Sequence, residues 1–181
     1  KVRANIIDLI MERDLLDAYP YDSMDNLLEL LREAASHSKV KEIKISIYRV
    51  TSHPRIIEYL IKAASNGKRV RVLIELRARF DEANNVDWAK KLKDSGCEVY
   101  YGTKRFKSHF KACQIVFKKS FSKIGEQEII TQVGTGNYNE TTARQYTDFS
   151  IITSNRILGE EVSTLFDNAI DGIIDNQFRY I

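Results

Sequence analysis

KEIKISIYRV, residues 41–50, sets Ile43, Ile45 and Ile47 in alternation with polar side chains, the two-residue period of a half-buried strand. Downstream, Pro54 suits the first turn of a helix that runs to Asn66 and stops at Gly67, and RVRVLIEL (69–76) follows as a second strand. A third helix over Glu82–Ser95, closed by Gly96, leads into the strand CEVYY (97–101), so strand and helix alternate three times. That order implies a parallel sheet with helices packed on its faces.

Working outward, HFKACQIVFKK (109–119), a polar loop at 120–126 and QEIITQVGT (127–135) read as an antiparallel hairpin, and a strand over 146–153 and a helix over 155–170 follow. Upstream, Ser23 is a suitable N-cap for a helix that buries Leu27, Leu28, Leu30, Leu31, Ala34 and Ala35. The looser apolar spacing from Val2 to Leu16 predicts a connecting helix within residues 1–18. The expected fold class is α/β, a mixed sheet flanked by helices, in one compact domain.

Apolar residues make up 43% of the 181, charged residues 29%, and prolines number only two, which is the composition of a folded globular chain and not of a disordered one. A net charge of +3 is too small to mark a nucleic-acid binder, and no nucleic-acid partner is expected. Cys97 and Cys113 have neither metal-site spacing nor the density of a disulfide scaffold, so both are expected as reduced core residues of a cytoplasmic protein. No run approaches the ~20 apolar residues that span a bilayer, and no signal peptide opens the sequence. The chain starts at Lys1 without Met and its helical pattern trails off before Ile181, so a piece of a longer protein is expected.

Chemistry concentrates in KSHFK (107–111), where a loop enters a strand, and GTGNYN (134–139), where another strand leaves the sheet. Strand ends gather at one rim, the usual place for a ligand in an α/β sheet. His109 and Lys111 are two apart and share a face of a strand. An imidazole attacks phosphorus well at neutral pH, and an adjacent ammonium neutralises the oxygens of a transferring phosphoryl group. The two glycines of GTGN let backbone approach an anion closely, with Thr135 and Asn137 as hydrogen-bond donors and Asn139 two residues on. Asp148 is spaced to accept a hydrogen bond from the second ring nitrogen of His109. Arg49 and Arg79 fall at corresponding ends of two strands, as a shared anion pocket would place them. The ordinary alternative for each of these residues alone is a solvated strand end. His37 and His53 sit at helix boundaries as caps or solvent-facing residues, Trp88, Ala89 and Leu92 fit a buried helix face, and Tyr100, Tyr101 and Phe106 fit core or rim packing.

H-x-K followed by G-T-x-N resembles the phospholipase D superfamily signature, H-x-K-x4-D then G-[ST]-x-N. Val116 stands where that signature carries its acid, which makes a general phosphodiesterase the weaker match. Taken with YPYDS (19–23), IYR (47–49), ELRARFDEANN (75–85), GTGNYNETTAR (134–144) and YTDFS (146–150), the chain resembles the first of two phospholipase D-like domains of the polyphosphate kinase family. The likeness covers about residues 19–170, leaving 171–181 as the start of a linker to a missing second domain. It implies reversible transfer of the terminal phosphate of ATP to inorganic polyphosphate through a phosphohistidine, here His109; Lys111, and Asp148 by its spacing, are expected as catalytic residues beside it.

By the same resemblance Tyr146 contacts the nucleotide, and Arg49 and Arg79 belong to the Mg²⁺ and phosphate site. A guanidinium has no free lone pair to ligate a cation, so the arginines clamp phosphate beside the ion. The expected anion rim is Arg49, Arg79, Lys107 and Lys111, and the expected ATP and phosphate contacts include Thr135, Asn137 and Asn139. Partners implied are ATP, ADP, polyphosphate, the N-terminal and second phospholipase D-like domains of a longer chain, and further copies in a homo-oligomer, with membrane attachment of the parent left open. Because the family pairs two histidine motifs and only one is present, this piece is expected to turn over poorly alone. Two rival classes stand beside this one: a non-catalytic module binding anions or nucleic acid, and a phosphodiesterase completing its site across a dimer.

Overall fold

The protein is described from a computed structural model over residues 5–48, 54–75, 82–102, 107–121, 128–174 and 177–181. In chain order the elements are α1 (Ile6–Glu12), β1 (Leu15–Tyr19), α2 (Asp25–Ser36), β2 (Val40–Ile47), α3 (Arg55–Ser65), β3 (Arg69–Ile74), α4 (Glu82–Asp94), β4 (Glu98–Tyr101), β5 (Lys111–Phe117), β6 (Ile129–Gly134), β7 (Asp148–Thr153) and α5 (Arg156–Asp171). The strands form one sheet in the order β1-β7-β6-β5-β2-β3-β4. β2, β3 and β4 are parallel, as their alternation with helices requires, and β5, β6, β7 and β1 add antiparallel.

One face of the sheet carries the main core. Ile43, Ile45 and Ile47 of β2, Val70, Val72 and Ile74 of β3, and Cys113 and Ile115 of β5 meet Leu27, Leu28, Leu31 and Ala35 of α2, Ile56, Ile57 and Leu60 of α3, and Ala89 and Leu92 of α4. The opposite face holds a smaller cluster, in which Val162 and Phe166 of α5 pack on Ala112 with Phe110, Val133 and Leu158 at its margin. Glycine ends three of the helices: Gly67 after α3, Gly96 after α4 and Gly172 after α5 all take positive φ. A left-handed cap of this kind crowds a Cβ against the residue's own backbone, which glycine avoids.

Three local expectations change. The residues expected as a connecting helix are a seven-residue helix, α1, followed by an edge strand, β1, that pairs with β7. Asn5 caps α1 by accepting from Ile7 N at 2.9 Å. β1 alternates correctly, with Asp17 and Tyr19 turned inward, but a carboxylate at an inward position hides the strand period in sequence. α2 starts at Asp25 without a side-chain cap, because Ser23 Oγ is engaged with Asp25. β2 is buried on both faces, Glu42, Lys44 and Ser46 included, since it lies centrally in the sheet.

α5 is tied to the sheet by one buried amide. Gln114 donates to Gly159 O at 2.7 Å and Thr131 Oγ1 at 3.1 Å and accepts from Ser163 Oγ at 2.9 Å. A Cβ on Gly159 would lie 3.3 Å from Ile129 Cβ and from Thr131 Oγ1, so the helix approaches β6 as closely as glycine permits. Gln114→Ala leaves those groups unsatisfied and is expected to lower the unfolding free energy by about 1–3 kcal/mol in a denaturant titration. An unchanged midpoint would show that α5 docks by apolar contact alone.

Candidate active site

Lys111 opens β5 opposite Gly134, the last residue of β6. His109 lies two residues ahead of the strand, where the chain has left the ladder, and not within it as the spacing suggests. Ser46 makes that departure possible: its Oγ accepts from Ala112 N at 3.1 Å and donates to Phe110 O at 2.8 Å, replacing the bonds a continuing strand pair would make. The Lys111 side chain folds back onto His109. Its Nζ donates to His109 O at 2.7 Å and sits 3.0 Å from Nδ1 and 3.1 Å from Nε2 of the ring. Tyr48, one residue past β2, meets the imidazole edge to face at 5.0 Å between centroids and lies 5.5 Å from the ammonium.

Lys111 is buried, whereas His109 is exposed toward the cleft and only partly desolvated. Desolvation lowers the pKa of His109 below its ordinary value, and the charges of Lys111 and Lys107 lower it further. Desolvation also depresses Lys111, while the carboxylate of Asp148 opposes that shift. The imidazole is therefore neutral near pH 7, with a lone pair to give and a cation alongside it.

Across the cleft, the GTGN turn is organised around Asp148, the first residue of β7. Thr135 Oγ1 donates to Asp148 Oδ1 at 2.7 Å and accepts from Phe149 N at 3.0 Å. The bond from His109 to Asp148 that the spacing suggested is not made; the carboxylate is held by Thr135 instead. A Cβ on Gly136 would lie 2.6 Å from Asp148 Oδ2. This glycine thus makes room for an anion belonging to the protein itself, where the sequence suggested room for a ligand. Asn139 Oδ1 accepts from Thr141 N and Thr142 N, both at 3.0 Å, and so begins the short 3-10 turn at Thr142–Arg144. Asn137 Oδ1 is buried with no hydrogen-bond partner. The same amide carries Nδ2, the group that can donate to a phosphate oxygen.

These residues enclose one polar cleft of about 280 Å³, lined by His109, Lys111, Thr135, Gly136, Asn137, Asn139, Thr142, Tyr146, Thr147 and Asp148. Tyr146 is 61% exposed at its mouth. Residues 5–173 match the family profile described as polyphosphate kinase C-terminal domain 1. The chain belongs to the polyphosphate kinase family. It is 43% identical to the polyphosphate kinase of Escherichia coli (strain K12) over 175 residues, covering 97% of this chain and 24% of that protein. Among solved structures it is similar to polyphosphate kinase from Porphyromonas gingivalis, at 36% identity and a TM-score of 0.81, covering 97% of this chain and 29% of the other. The phospholipase D family member Nuc from Salmonella typhimurium shares the fold, with a TM-score of 0.66 at 16% identity, over 90% of this chain and 97% of Nuc. The chain spans about a quarter of the length of the curated polyphosphate kinases it matches.

Within this polyphosphate kinase domain, His109, Lys111, Thr135, Asn137, Asn139, Tyr146 and Asp148, all read from sequence, share the cleft. Arg49 and Arg79 lie outside the described residues, as do His53 and Phe106. Lys107 is exposed beside His109, on the rim of an adjoining cavity of about 200 Å³ with Leu165, Ile173 and Phe178. His37 caps α2 and accepts from Lys39 N at 3.2 Å. Val116 is a buried position of β5 paired with Ile129. Burial pushes the thiols of Cys97 and Cys113 up to about 11 and about 12, which leaves them unreactive packing residues. Sequence reading missed Tyr48 and Thr142. The tyrosine was visible in IYR at 47–49, one step past a strand end where the site was already expected.

Gly136→Ala and Asp148→Gly should be strongly coupled, since the added methyl collides with the carboxylate that the second change removes. A double-mutant cycle in denaturant is expected to give a coupling free energy of about 1–3 kcal/mol. Additive costs would mean that the backbone absorbs the methyl and that the close approach constrains nothing.

Proposed function

We propose that this chain is the phosphoryl-accepting domain of an ATP–polyphosphate phosphotransferase, with His109 as the group phosphorylated. One observation carries the reading: an imidazole stands in a cleft lined by polar side chains with the Lys111 ammonium 3.0 Å from its ring, and the pKa of the ring is lowered. The ring nitrogen forms the N–P bond as the bond from the γ phosphorus to the bridging oxygen breaks, and ADP leaves with that electron pair. Lys111 neutralises the oxygens of the phosphoryl group in flight. A terminal oxygen of polyphosphate then attacks phosphorus and the ring nitrogen recovers its lone pair. Thr135, Asn137 and Asn139 line the cleft as phosphate contacts, and Tyr146 at its mouth contacts the nucleotide.

Asp148 serves here through Lys111 and not through the imidazole, since its charge supports the protonated ammonium. Arg49 and Arg79 remain the proposed phosphate clamps. No group of three or more His, Cys, Asp or Glu among the described residues could cage a metal ion. Mg²⁺ is accordingly proposed to be held through the nucleotide's phosphate oxygens, and no step is assigned to it. A second histidine, further domains and other copies are proposed to come from the rest of a longer chain, of which this domain would be about a quarter by the coverage of its relatives. Among the described residues no helix is long and apolar enough to cross a membrane.

The decisive experiment incubates the full-length protein with ATP labelled in the γ phosphate. Acid-labile, base-stable label on the His109 peptide, lost in His109→Ala, is expected; equal labelling of the variant would sink the assignment. A module that merely binds anions would take no label and would lose polyphosphate affinity steeply with salt.

The pH dependence has a defined sign. Attack requires the unprotonated ring, and the pKa of His109 is depressed. Labelling is therefore expected to rise with pH through a midpoint below the ordinary imidazole value of about 6.5 and then level off. Lys111→Met removes a positive neighbour, so its slower labelling should show a midpoint displaced upward. A displacement downward would contradict the electrostatic picture.

A further inference from the structure

Two buried polar side chains outside the cleft lie directly behind its histidine. Glu75, just past the end of β3, is 3% exposed, and its Oε2 accepts from Ser108 N at 3.0 Å. Asn85, in the first half of α4, is fully buried and donates from Nδ2 to Tyr48 O at 3.0 Å and to Glu75 O at 3.1 Å. Ser108 precedes His109, and Tyr48 is the ring that stacks edge-on against it. The two side chains thus hold both flanks of the imidazole, one through backbone and one through the aromatic neighbour, and they are joined to each other through the Glu75 carbonyl. Space is kept for the carboxylate at Gly102, where a Cβ would lie 3.0 Å from Glu75 Oε2 and 3.2 Å from Ser108 Oγ.

A buried carboxylate is an odd choice at this place. Taking a carboxyl group out of water has a cost that its partners must offset. What it offers over an apolar side chain is direction: its side-chain oxygen accepts an oriented bond from the Ser108 amide. We infer that Glu75 and Asn85 are positioning residues that fix Ser108 and Tyr48 on either side of His109 and thereby set the angle at which its imidazole meets a phosphoryl donor. Without them, among the described residues, the loop ahead of β5 would keep Ser46, the Lys111 bond to His109 O and the packing of Phe110 on Phe166, none of which fixes Ser108 or the Tyr48 backbone. The ring would then swing away from the ammonium. The inference deepens the phosphoryl-transfer reading and rests on it for its catalytic meaning, though the geometry of the ring can be tested without ATP.

Among the described residues the titratable groups around His109 are Lys111 on β5, Lys107 on the same loop, the Tyr48 ring beyond β2, Asp148 across the cleft on β7 and Glu75 behind Ser108. Carbethoxylation of His109 by diethyl pyrocarbonate, followed across pH on its own peptide by mass spectrometry in the full-length protein, reads this environment. Glu75→Ala and Asn85→Ala are expected to raise the midpoint by about half a pH unit or more, as the ring escapes the lysines. Ser108→Pro deletes the donated N–H, together with the hydroxyl and the φ freedom of residue 108, while Glu75 and Asn85 stay in place, and it should do the same even if Glu75→Ala fails to fold. Glu75→Gln keeps an acceptor oxygen and should stay near wild type.

In the ATP labelling assay Glu75→Ala and Ser108→Pro should slow phosphorylation about tenfold or more with the KM for ATP within about twofold, the mark of misplacement rather than lost binding. Unmoved carbethoxylation midpoints in Ser108→Pro overturn the inference, as does a Gln variant as impaired as the Ala variant. Shifted midpoints in a wild-type protein that takes no label from ATP would uphold the positioning and refute the phosphoryl-transfer reading alone.

Discussion

A lysine that is 6% exposed must keep its charge without water, and much of the site's geometry follows from how Lys111 does so. The ammonium is satisfied by the carbonyl of His109, leans on the Tyr48 ring and is opposed in charge by Asp148 across the cleft. Each of those partners is then fixed in turn: Asp148 by Thr135, Tyr48 by Asn85, and the backbone before His109 by Glu75. Desolvation makes the same charge effective at short range, because little solvent lies between it and the imidazole to screen the field. One buried cation therefore both lowers the basicity of the histidine and stands where the proposed phosphoryl transfer needs a counter-charge.

The sheet explains why these residues meet. β2, β3 and β4 run parallel, so their C-terminal ends share one edge, which brings Tyr48, Glu75 and Gly102 together. β5 is antiparallel to β2 and so begins at that edge, with Lys111 as its first residue. β6 ends there at Gly134 and β7 begins there at Asp148. A purely parallel sheet would bring only strand ends to the edge. The antiparallel half adds strand beginnings, and two residues at a strand beginning can fold back on each other as Lys111 does on His109. The mixed topology is thus a condition of the site and not an incidental feature of the fold.

Much of this was legible in sequence for physical reasons that also mark the limits. The period-two pattern in β2, the glycines closing α3 and α4, and the hairpin of β5 and β6 are local signals, and each corresponds to the element expected. β1 was not legible because Asp17 occupies an inward position, where a carboxylate breaks the hydrophobic alternation; it is tolerated because Asn26 Nδ2 donates to it at 2.6 Å, nine residues away in the chain. The site residues announced themselves by type and spacing, yet their partners did not. Asp148 was matched to His109, when a nearer hydroxyl, Thr135, holds its carboxylate. Gly136 was read as an opening for a ligand, when it is an opening for that same carboxylate. Spacing along the chain says which side chains reach one edge; it does not say which of several acceptors and donors there will pair.

Glu75 and Asn85 illustrate the same limit from the other side. Both fall in ELRARFDEANN, a stretch whose arginine drew notice because guanidinium chemistry suits phosphate, whereas a glutamate and an asparagine at the end of a strand and in a helix carry no such mark. Their significance depends on being buried, and burial depends on the packing of α4 against β4 and α3, which no local pattern specifies. A polar group that is fully buried and oriented by two backbone carbonyls does little to drive folding, since its net gain over hydration is small. Its effect is on which of several near-equal arrangements the chain adopts at that point. For the proposed displacement along a line, a choice among arrangements of the proposed nucleophile is itself a contribution to rate, and this is where the fold and the proposed reaction become one problem.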